Sequence, residues 1–179
     1  LGGIAKGYAS DRMADILKEN NIPRATMSLG GNVLAWGDRP DGTPWRVGIQ
    51  DPKNPDDANA FAALLHLTNA FAVTSGGYQR FFEADGKTYH HIIDPATGYP
   101  AVSDLLSVSV ITYGAADGQG TRADAYSTAL YVMGEEAAVD FWRQNSAAFD
   151  MVLVTADGRV LYTPGLKDCF DETEGSGYV

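Results

Sequence analysis

The sequence predicts an α+β fold with mostly antiparallel sheets and a few packed helices. The chain of 179 residues contains many short strand-like runs and few helical stretches, too few for a helix after every strand. Two pairs of runs flank tight turns, at 84–86 and at 157–158, where Asp-Gly favours an antiparallel hairpin. Because a domain typically has roughly 100–200 residues, this length predicts one domain.

The helices are predicted from apolar periodicity and from residues that stop a helix. The first helix is expected over 6–19, and Pro23 lies just after its end. Four apolar positions share one face of it: Ala9, Met13, Ile16 and Leu17. Two further helices are expected over 123–133 and 135–144, separated by Gly134.

The strands are predicted from apolar runs bounded by turn residues. They are expected over 25–29, 33–36, 45–49, 62–68, 81–83, 87–93, 105–112, 151–155 and 159–162. The domain is expected to cover 1–166. The acidic segment 167–179 has little apolar content, which favours a solvated or partly ordered terminus over a functional acidic arm.

Composition excludes several classes of function. The 13 Lys+Arg and 23 Asp+Glu residues give a formal charge of −10, which argues against nucleic-acid binding and against docking on an anionic membrane. A phosphate-rich ligand would need a metal ion to bridge it to this acidic surface. No apolar run approaches the roughly 18 residues of a transmembrane helix. Cys169, the one cysteine, can form neither an internal disulfide nor a cysteine-based zinc site.

Glycine-rich motifs allow the backbone to approach a ligand closely. The stretch 1–8 leads into a helix, whose N-terminus presents free N–H groups to phosphate, and Lys6 adds a cation. It lacks the P-loop spacing, and a tight strand-to-helix turn is the alternative. The stretch 28–32 suits either a hairpin or a ligand contact. In 74–80, Arg80 could pair with a phosphate or with a local carboxylate.

Two adjacent histidines, His90 and His91, lie in a predicted strand. Neighbouring side chains of a strand point to opposite faces, so both histidines cannot bind one metal from one side. One of them could act as a general base while the other faces outward. The turn residues 94–98 that follow also allow a purely structural interpretation.

Asp124 and Thr128 are four residues apart at the start of a predicted helix, so they share one face. A carboxylate with a hydroxyl provides the hard oxygen donors that Mg²⁺ prefers, together with waters or substrate phosphates. The alternative is that these residues cap the helix N-terminus.

Five motifs occur in a specific order. They are Leu-Gly-Gly-Ile-Ala-Lys-Gly-Tyr at 1–8, Leu-Gly-Gly-Asn at 29–32, Thr-Ser-Gly-Gly-Tyr at 74–78, His-Ile-Ile-Asp-Pro-Ala-Thr-Gly-Tyr-Pro at 91–100 and Ala-Asp-Ala-Tyr-Ser-Thr-Ala-Leu at 123–130. In this order they resemble the FAD:protein FMN transferases, the ApbE family, over residues 1–162. The family fold is α+β and T-fold-like, with antiparallel sheets, which agrees with the prediction made from the residues alone.

The resemblance implies a Mg²⁺-dependent transfer of FMN from FAD, the substrate, to a Thr or Ser hydroxyl of a target protein, with release of AMP. Some members instead hydrolyse FAD to FMN and AMP. The implied metal ligands are the Gly3 carbonyl, the Asp124 carboxylate and the Thr128 hydroxyl, with Ser127 as a further candidate. Lys6 and His91 would contact FAD, together with Ile92 or its neighbour, and His91 would be the catalytic base.

The resemblance covers the C-terminal portion of the family's domain, and the family pattern places an Asp just before Leu1. We therefore expect this chain alone to fold but to bind FAD weakly. A flavin-nucleotide or metal binding module without turnover is the alternative to an enzyme. The family habit of acting as a lipoprotein implies a membrane-associated protein on the extracytoplasmic face of the bacterial cytoplasmic membrane.

Overall fold

The structure is a computed structural model that describes residues 2–78, 81–114, 118–173 and 177–178. Its helices are α1 (Ala5–Glu19), α2 (Gln119–Met133) and α3 (Glu135–Asn145). Its strands are β1 (Ala25–Ser28), β2 (Asn32–Trp36), β3 (Trp45–Gln50), β4 (Phe61–Leu67), β5 (Ala70–Gly76), β6 (Phe81–Ala84), β7 (Lys87–His90), β8 (Leu105–Tyr113), β9 (Asp150–Thr155), β10 (Val160–Tyr162) and β11 (Phe170–Glu172).

The strands form antiparallel sheets, which confirms the predicted fold class. A six-stranded sheet has the order β1-β2-β5-β8-β9-β10, and a three-stranded sheet has the order β11-β4-β3. Strands β6 and β7 form a separate hairpin. The predicted turns at both hairpins are present, with positive φ at Asp85, Gly86 and Gly158.

The six-stranded sheet is the middle layer of the molecule. On β5, Phe71 and Val73 pack toward the helices, whereas Ala70 and Ala72 pack toward the three-stranded sheet. Helix α2 lies across β5 and β8, with α1 and α3 packed against it. Strand β8 is therefore buried on both faces over most of its length.

Helix α1 buries a different face from the one that the sequence predicted. Met13 and Ile16 are exposed, and Leu17 alone of the expected face is buried. The buried positions are Gly7, Ser10, Ala14 and Leu17. The prediction was wrong because it weighted large apolar side chains, whereas the contact between α1 and α2 requires small ones.

Several segments form structure that the sequence did not indicate. Residues 70–76, not predicted as a separate strand, form the central strand β5, and α2 begins at Gln119 rather than at 123. Strand β7 ends at His90, short of the predicted end at 93. In the acidic segment 167–179, β11 pairs with β4. Strands β5 and β11 depend on pairing with strands distant in sequence, which local patterns do not report.

The crossing of α1 and α2 leaves no room for a side chain at Gly7. A Cβ built on Gly7 would lie 2.3 Å from the Gly120 carbonyl oxygen and 2.7 Å from Cβ of Asp124. A Cβ on Gly120 would lie 2.8 Å from the Gly7 carbonyl oxygen. The two backbones are therefore in direct contact, which fixes the position of Asp124 relative to α1.

Replacing Gly7 with alanine tests this contact. An alanine in a helix normally stabilises it relative to glycine, but here the methyl group would force the helices apart. We expect Gly7→Ala to lower the free energy of unfolding by about 1–3 kcal/mol, measured by urea denaturation. The control is Gly2→Ala in the same motif, where a Cβ meets no atom within 4 Å. Equal stability of the two variants would contradict the close packing.

Candidate functional site

Asp124, in the second turn of α2, carries a buried carboxylate without a cationic partner in the described part of the chain. The residue is 3% exposed, and its Oδ2 accepts a hydrogen bond of 2.7 Å from the Gly7 N–H. Within the described residues, Asp124 forms no ion pair and its Oδ1 accepts no hydrogen bond. A buried carboxylate is strongly disfavoured without a compensating charge, so this site favours binding of a cation.

Three hydroxyl groups lie together next to Asp124. Ser127 and Thr128 follow it on α2, and their hydroxyls lie 3.0 and 3.3 Å from its backbone carbonyl oxygen. Ser75 approaches from β5, with Oγ 2.9 Å from Ser127 Oγ and 3.1 Å from Thr128 Oγ1. Ser75 lies in the third glycine-rich motif but was not predicted to be a site residue.

Gly3 comes close to these hydroxyls from the start of the chain. A Cβ on Gly3 would lie 3.8 Å from Thr128 Oγ1. Gly7 lies in the first turn of α1, where N–H groups have no acceptor within the helix, and its N–H bonds to Asp124 rather than to the Gly3 carbonyl. Within the described residues the Gly3 carbonyl accepts no hydrogen bond, so its lone pairs are available to a ligand.

Lys6 lies in the first turn of α1, and its Nζ donates a hydrogen bond of 2.7 Å to the carbonyl oxygen of Gly30. Gly30 and Gly31 both have positive φ, as the hairpin interpretation of the second motif predicted. Lys6 therefore links the first glycine-rich motif to the second. Arg80, a candidate from the third motif, lies outside the described residues.

The second and third motifs line a cavity of about 170 Å³ between the two large sheets. Ser28 and Gly31 line it from one motif, and Thr74 and Tyr78 from the other. Thr74 and Ser75 are neighbours on β5 and so point to opposite faces of the sheet. Strand β5 thus separates this cavity from the Asp124 cluster.

The adjacent histidines have different surroundings. His90 is half-buried, with Nε2 3.0 Å from the Ala101 carbonyl oxygen and Nδ1 accepting a hydrogen bond from the Ile92 N–H. Its ring packs edge-on against Tyr131, whose pKa is raised by burial. His91 lies just beyond the end of β7 and is exposed. Both ring nitrogens of His90 are engaged in the fold. His91 is the more exposed of the two histidines, which makes it the more accessible to a substrate.

Ile92, a candidate FAD contact, is buried in the core on the helix side of the large sheet. Its neighbour Ile93 is 48% exposed. Of the proposed site residues, the structure brings Gly3, Asp124, Ser127 and Thr128 into one cluster.

Asp11, on α1, connects the two helices through contacts that the sequence did not indicate. Its carboxylate accepts hydrogen bonds from the N–H groups of Gly120 and Thr121, at 2.7 and 2.9 Å, and from the Thr121 hydroxyl at 2.6 Å. These are free N–H groups in the first turn of α2, so Asp11 caps that helix. Asp124 in turn caps α1 through Gly7, and the two helices therefore cap each other.

The donor chemistry of the Asp124 cluster fits a hard cation. Within the described residues no group of three or more His, Cys, Asp or Glu side chains converges on a metal position. A cation at Asp124 would therefore have one carboxylate, hydroxyls and a backbone carbonyl as protein donors. This set suits Mg²⁺, which commonly takes one or two carboxylates and completes its shell with waters and substrate phosphates.

Sequence comparison places the chain among known relatives. The sequence profile of the ApbE family matches residues 1–153. A protein of Klebsiella pneumoniae (strain 342) named FAD:protein FMN transferase is 36% identical over 178 residues, which cover 99% of this chain and 52% of that protein. A Treponema pallidum protein of the same name is 37% identical over 176 residues, covering 94% and 46%. The chain spans about half the length of these curated relatives.

Solved structures show the same fold. The crystal structure of the ApbE protein from Thermotoga maritima matches with a TM-score of 0.77 and 36% identity, covering 97% of this chain and 53% of that one. The apo form of the flavinyl transferase ApbE from Pseudomonas stutzeri matches with a TM-score of 0.72 and 32% identity, covering 93% and 50%.

Replacing Asp11 with alanine tests the cap on α2. The substitution removes three hydrogen bonds and leaves two N–H groups at the start of α2 without their acceptor. We expect the free energy of unfolding to fall by about 1–3 kcal/mol. Asp15→Ala on the same helix is the control, because Asp15 makes only a partly exposed pair with Arg12 and should change stability by less than about 1 kcal/mol. An Asp11→Ala protein as stable as the control would refute the capping role.

Proposed function

Because the chain belongs to the ApbE family, we propose that it transfers FMN from FAD to a Thr or Ser hydroxyl of a target protein and releases AMP. The proposal includes dependence on Mg²⁺. The observation that carries it is the buried Asp124 carboxylate, which has no cationic partner among the described residues. The hydroxyls of Ser127 and Thr128 lie within 3.3 Å of the backbone carbonyl oxygen of the same residue. An acidic protein can bind a nucleotide diphosphate there only if a cation separates the two negative charges.

Four residues would hold the ion. Asp124 would provide its free Oδ1, Thr128 its hydroxyl and Gly3 its carbonyl oxygen, with Ser127 as a further candidate. The bound ion would neutralise the charge that develops on the pyrophosphate oxygens when AMP leaves.

Lys6 and the N-terminus of α1 would bind the phosphates of FAD. The first turn of α1 provides N–H groups and a positive helix-dipole end, and Lys6 adds a formal charge in that turn. Ile92 or the exposed Ile93 would contact the flavin part of the substrate. These contacts would orient the diphosphate relative to Asp124.

His91 would act as the general base. It would accept the proton of the acceptor hydroxyl, whose oxygen then forms a bond to the FMN phosphorus. The bond from that phosphorus to the bridging oxygen breaks, and AMP leaves with the electron pair. A water molecule in place of the acceptor would give free FMN and AMP, which is the hydrolytic alternative.

We further propose that the protein works at the extracytoplasmic face of the bacterial cytoplasmic membrane as a lipoprotein. The family resemblance supports this location. Within the described residues, no helix is long and apolar enough to cross a membrane. Fractionation of the native host would support this location if the protein is found in washed membranes. Cleavage of the protein by external protease in spheroplasts would support it as well.

Product analysis tests the proposed reaction. The full-length protein, incubated with FAD, Mg²⁺ and a lysate of its host as the source of acceptor proteins, should release AMP, detected by chromatography. FMN that is covalently bound to a protein indicates transfer, and free FMN indicates hydrolysis. FAD binding without AMP release would favour the alternative of a binding module and contradict the proposed turnover.

Asp124→Asn should abolish the Mg²⁺-dependent reaction while keeping the fold. The amide retains an oxygen that can accept the Gly7 N–H but loses the charge that holds the ion. We expect the rate of AMP release to fall by at least roughly 10²-fold. Asp140→Asn, at an exposed position on α3, is the matched control. Retention of full activity and full Mg²⁺ dependence by Asp124→Asn would refute the metal assignment.

The two histidines should respond differently to substitution. His91→Ala should slow transfer to the acceptor by about 10²–10⁴-fold, because the acceptor hydroxyl would lose its base. His90→Ala should chiefly lower stability, because it removes the contacts to Ala101 and Tyr131. Measured rates of AMP release and thermal midpoints separate the two effects. Equal rate losses would contradict the assignment of the base to His91.

A further inference from the structure

Ser75 is the polar residue at the end of an otherwise apolar strand face. Phe71 and Val73 precede it on the same face of β5 and belong to the helix-side core. A serine that continues such a face toward a helix requires polar partners. Its hydroxyl meets two hydroxyls of α2, those of Ser127 and Thr128.

The hydrogen atoms of these three hydroxyls restrict the possible network. Each hydroxyl donates one hydrogen bond, yet four short contacts connect Ser75, Ser127, Thr128 and the Asp124 carbonyl oxygen. One contact therefore lacks a hydrogen. The contact from Thr128 to the Asp124 carbonyl is the longest of the four at 3.3 Å, and it is the weakest candidate for a hydrogen bond.

The arrangement that omits this contact is a chain of hydroxyls. Thr128 donates to Ser75, Ser75 donates to Ser127, and Ser127 donates to the Asp124 carbonyl at 3.0 Å. In this arrangement the Thr128 hydrogen points toward β5, and both lone pairs of Oγ1 remain available to a cation. A hydroxyl that ligates a metal must direct its hydrogen away from the ion to an acceptor.

We propose that Ser75 is a positioning residue of the cation site, which accepts the Thr128 hydrogen and thereby orients the Thr128 lone pairs toward the ion. Ser75 does not ligate the ion itself. This inference rests on the proposed function, since it assumes that a cation binds at Asp124 and Thr128.

Manganese binding to the full-length protein tests the proposal without reliance on activity. Mn²⁺ is titrated, and the free ion is measured from its electron paramagnetic resonance signal. Ser75→Ala should weaken Mn²⁺ binding roughly 10–100-fold, as is typical when a partner of a metal ligand is removed. Ser107→Ala is the matched control. Ser107 is a buried serine on β8 that pairs with Gly76 of β5, and the Ser107 hydroxyl has no hydrogen-bond partner in the described structure. The control should bind Mn²⁺ as the unmodified protein does.

A double substitution separates positioning from direct ligation. If Ser75 acts through Thr128, adding Ser75→Ala to Thr128→Val should change Mn²⁺ affinity by less than about 2-fold. A full additional loss in the Thr128→Val background would show that Ser75 binds the ion itself and would overturn the proposal. Ser75→Cys keeps a side chain of similar shape, but its sulfur is a weak hydrogen-bond acceptor, so this variant should also weaken Mn²⁺ binding. It replaces Ser75→Ala as the test if the alanine variant does not fold.

Asp124→Asn distinguishes failure of this inference from failure of the proposed function. If Asp124→Asn abolishes Mn²⁺ binding while Ser75→Ala leaves it unchanged, the cation site stands and the role of Ser75 is refuted. If Asp124→Asn also leaves binding unchanged, the cation does not bind at Asp124, and both proposals fail.

Discussion

The hydrogen bond from the Gly7 N–H to the buried Asp124 carboxylate is the interaction on which the rest of the site depends. It exists because neither helix has a side chain at the crossing, where Gly7 lies directly against Gly120. Asp11 provides the reciprocal cap on α2. Gly7 lies in the first turn of α1, where N–H groups have no acceptor within the helix, so the bond that caps α1 also fixes the position of the Asp124 carboxylate. Helix packing and the preparation of a ligand set are thus a single arrangement.

Strand β5 of the six-stranded sheet also contacts the hydroxyls beside Asp124. Strand β5 carries apolar side chains toward α2 until Ser75, where the same face continues with a hydroxyl. Its neighbour Thr74 points into the cavity between the sheets and bonds to Ser109 instead. A register shift of one residue would exchange these two side chains. The alternation of small and large apolar residues along β5 therefore determines which hydroxyl faces the candidate ion site.

Local sequence signals predicted much of the fold and part of the site. The hairpins around Asp85-Gly86 and Asp157-Gly158 follow from turn chemistry, and the spacing of Asp124 and Thr128 follows from helix periodicity. The buried face of α1, the cap at Asp11 and the role of Ser75 could not be predicted in this way. Each depends on which element packs against it, and in all three cases that partner is distant in sequence. The family resemblance provided motifs but not these contacts.

We propose that the Asp124 carboxylate is paired with a divalent cation rather than with a protein side chain. Crystals of the full-length protein soaked with Mn²⁺ and FAD would test it through the anomalous scattering of manganese. We expect an anomalous peak about 2.1 Å from Oδ1 of Asp124, with Thr128 Oγ1 and the Gly3 carbonyl oxygen at similar distances. A Lys or Arg side chain bonded to Oδ1, with manganese bound elsewhere, would contradict it.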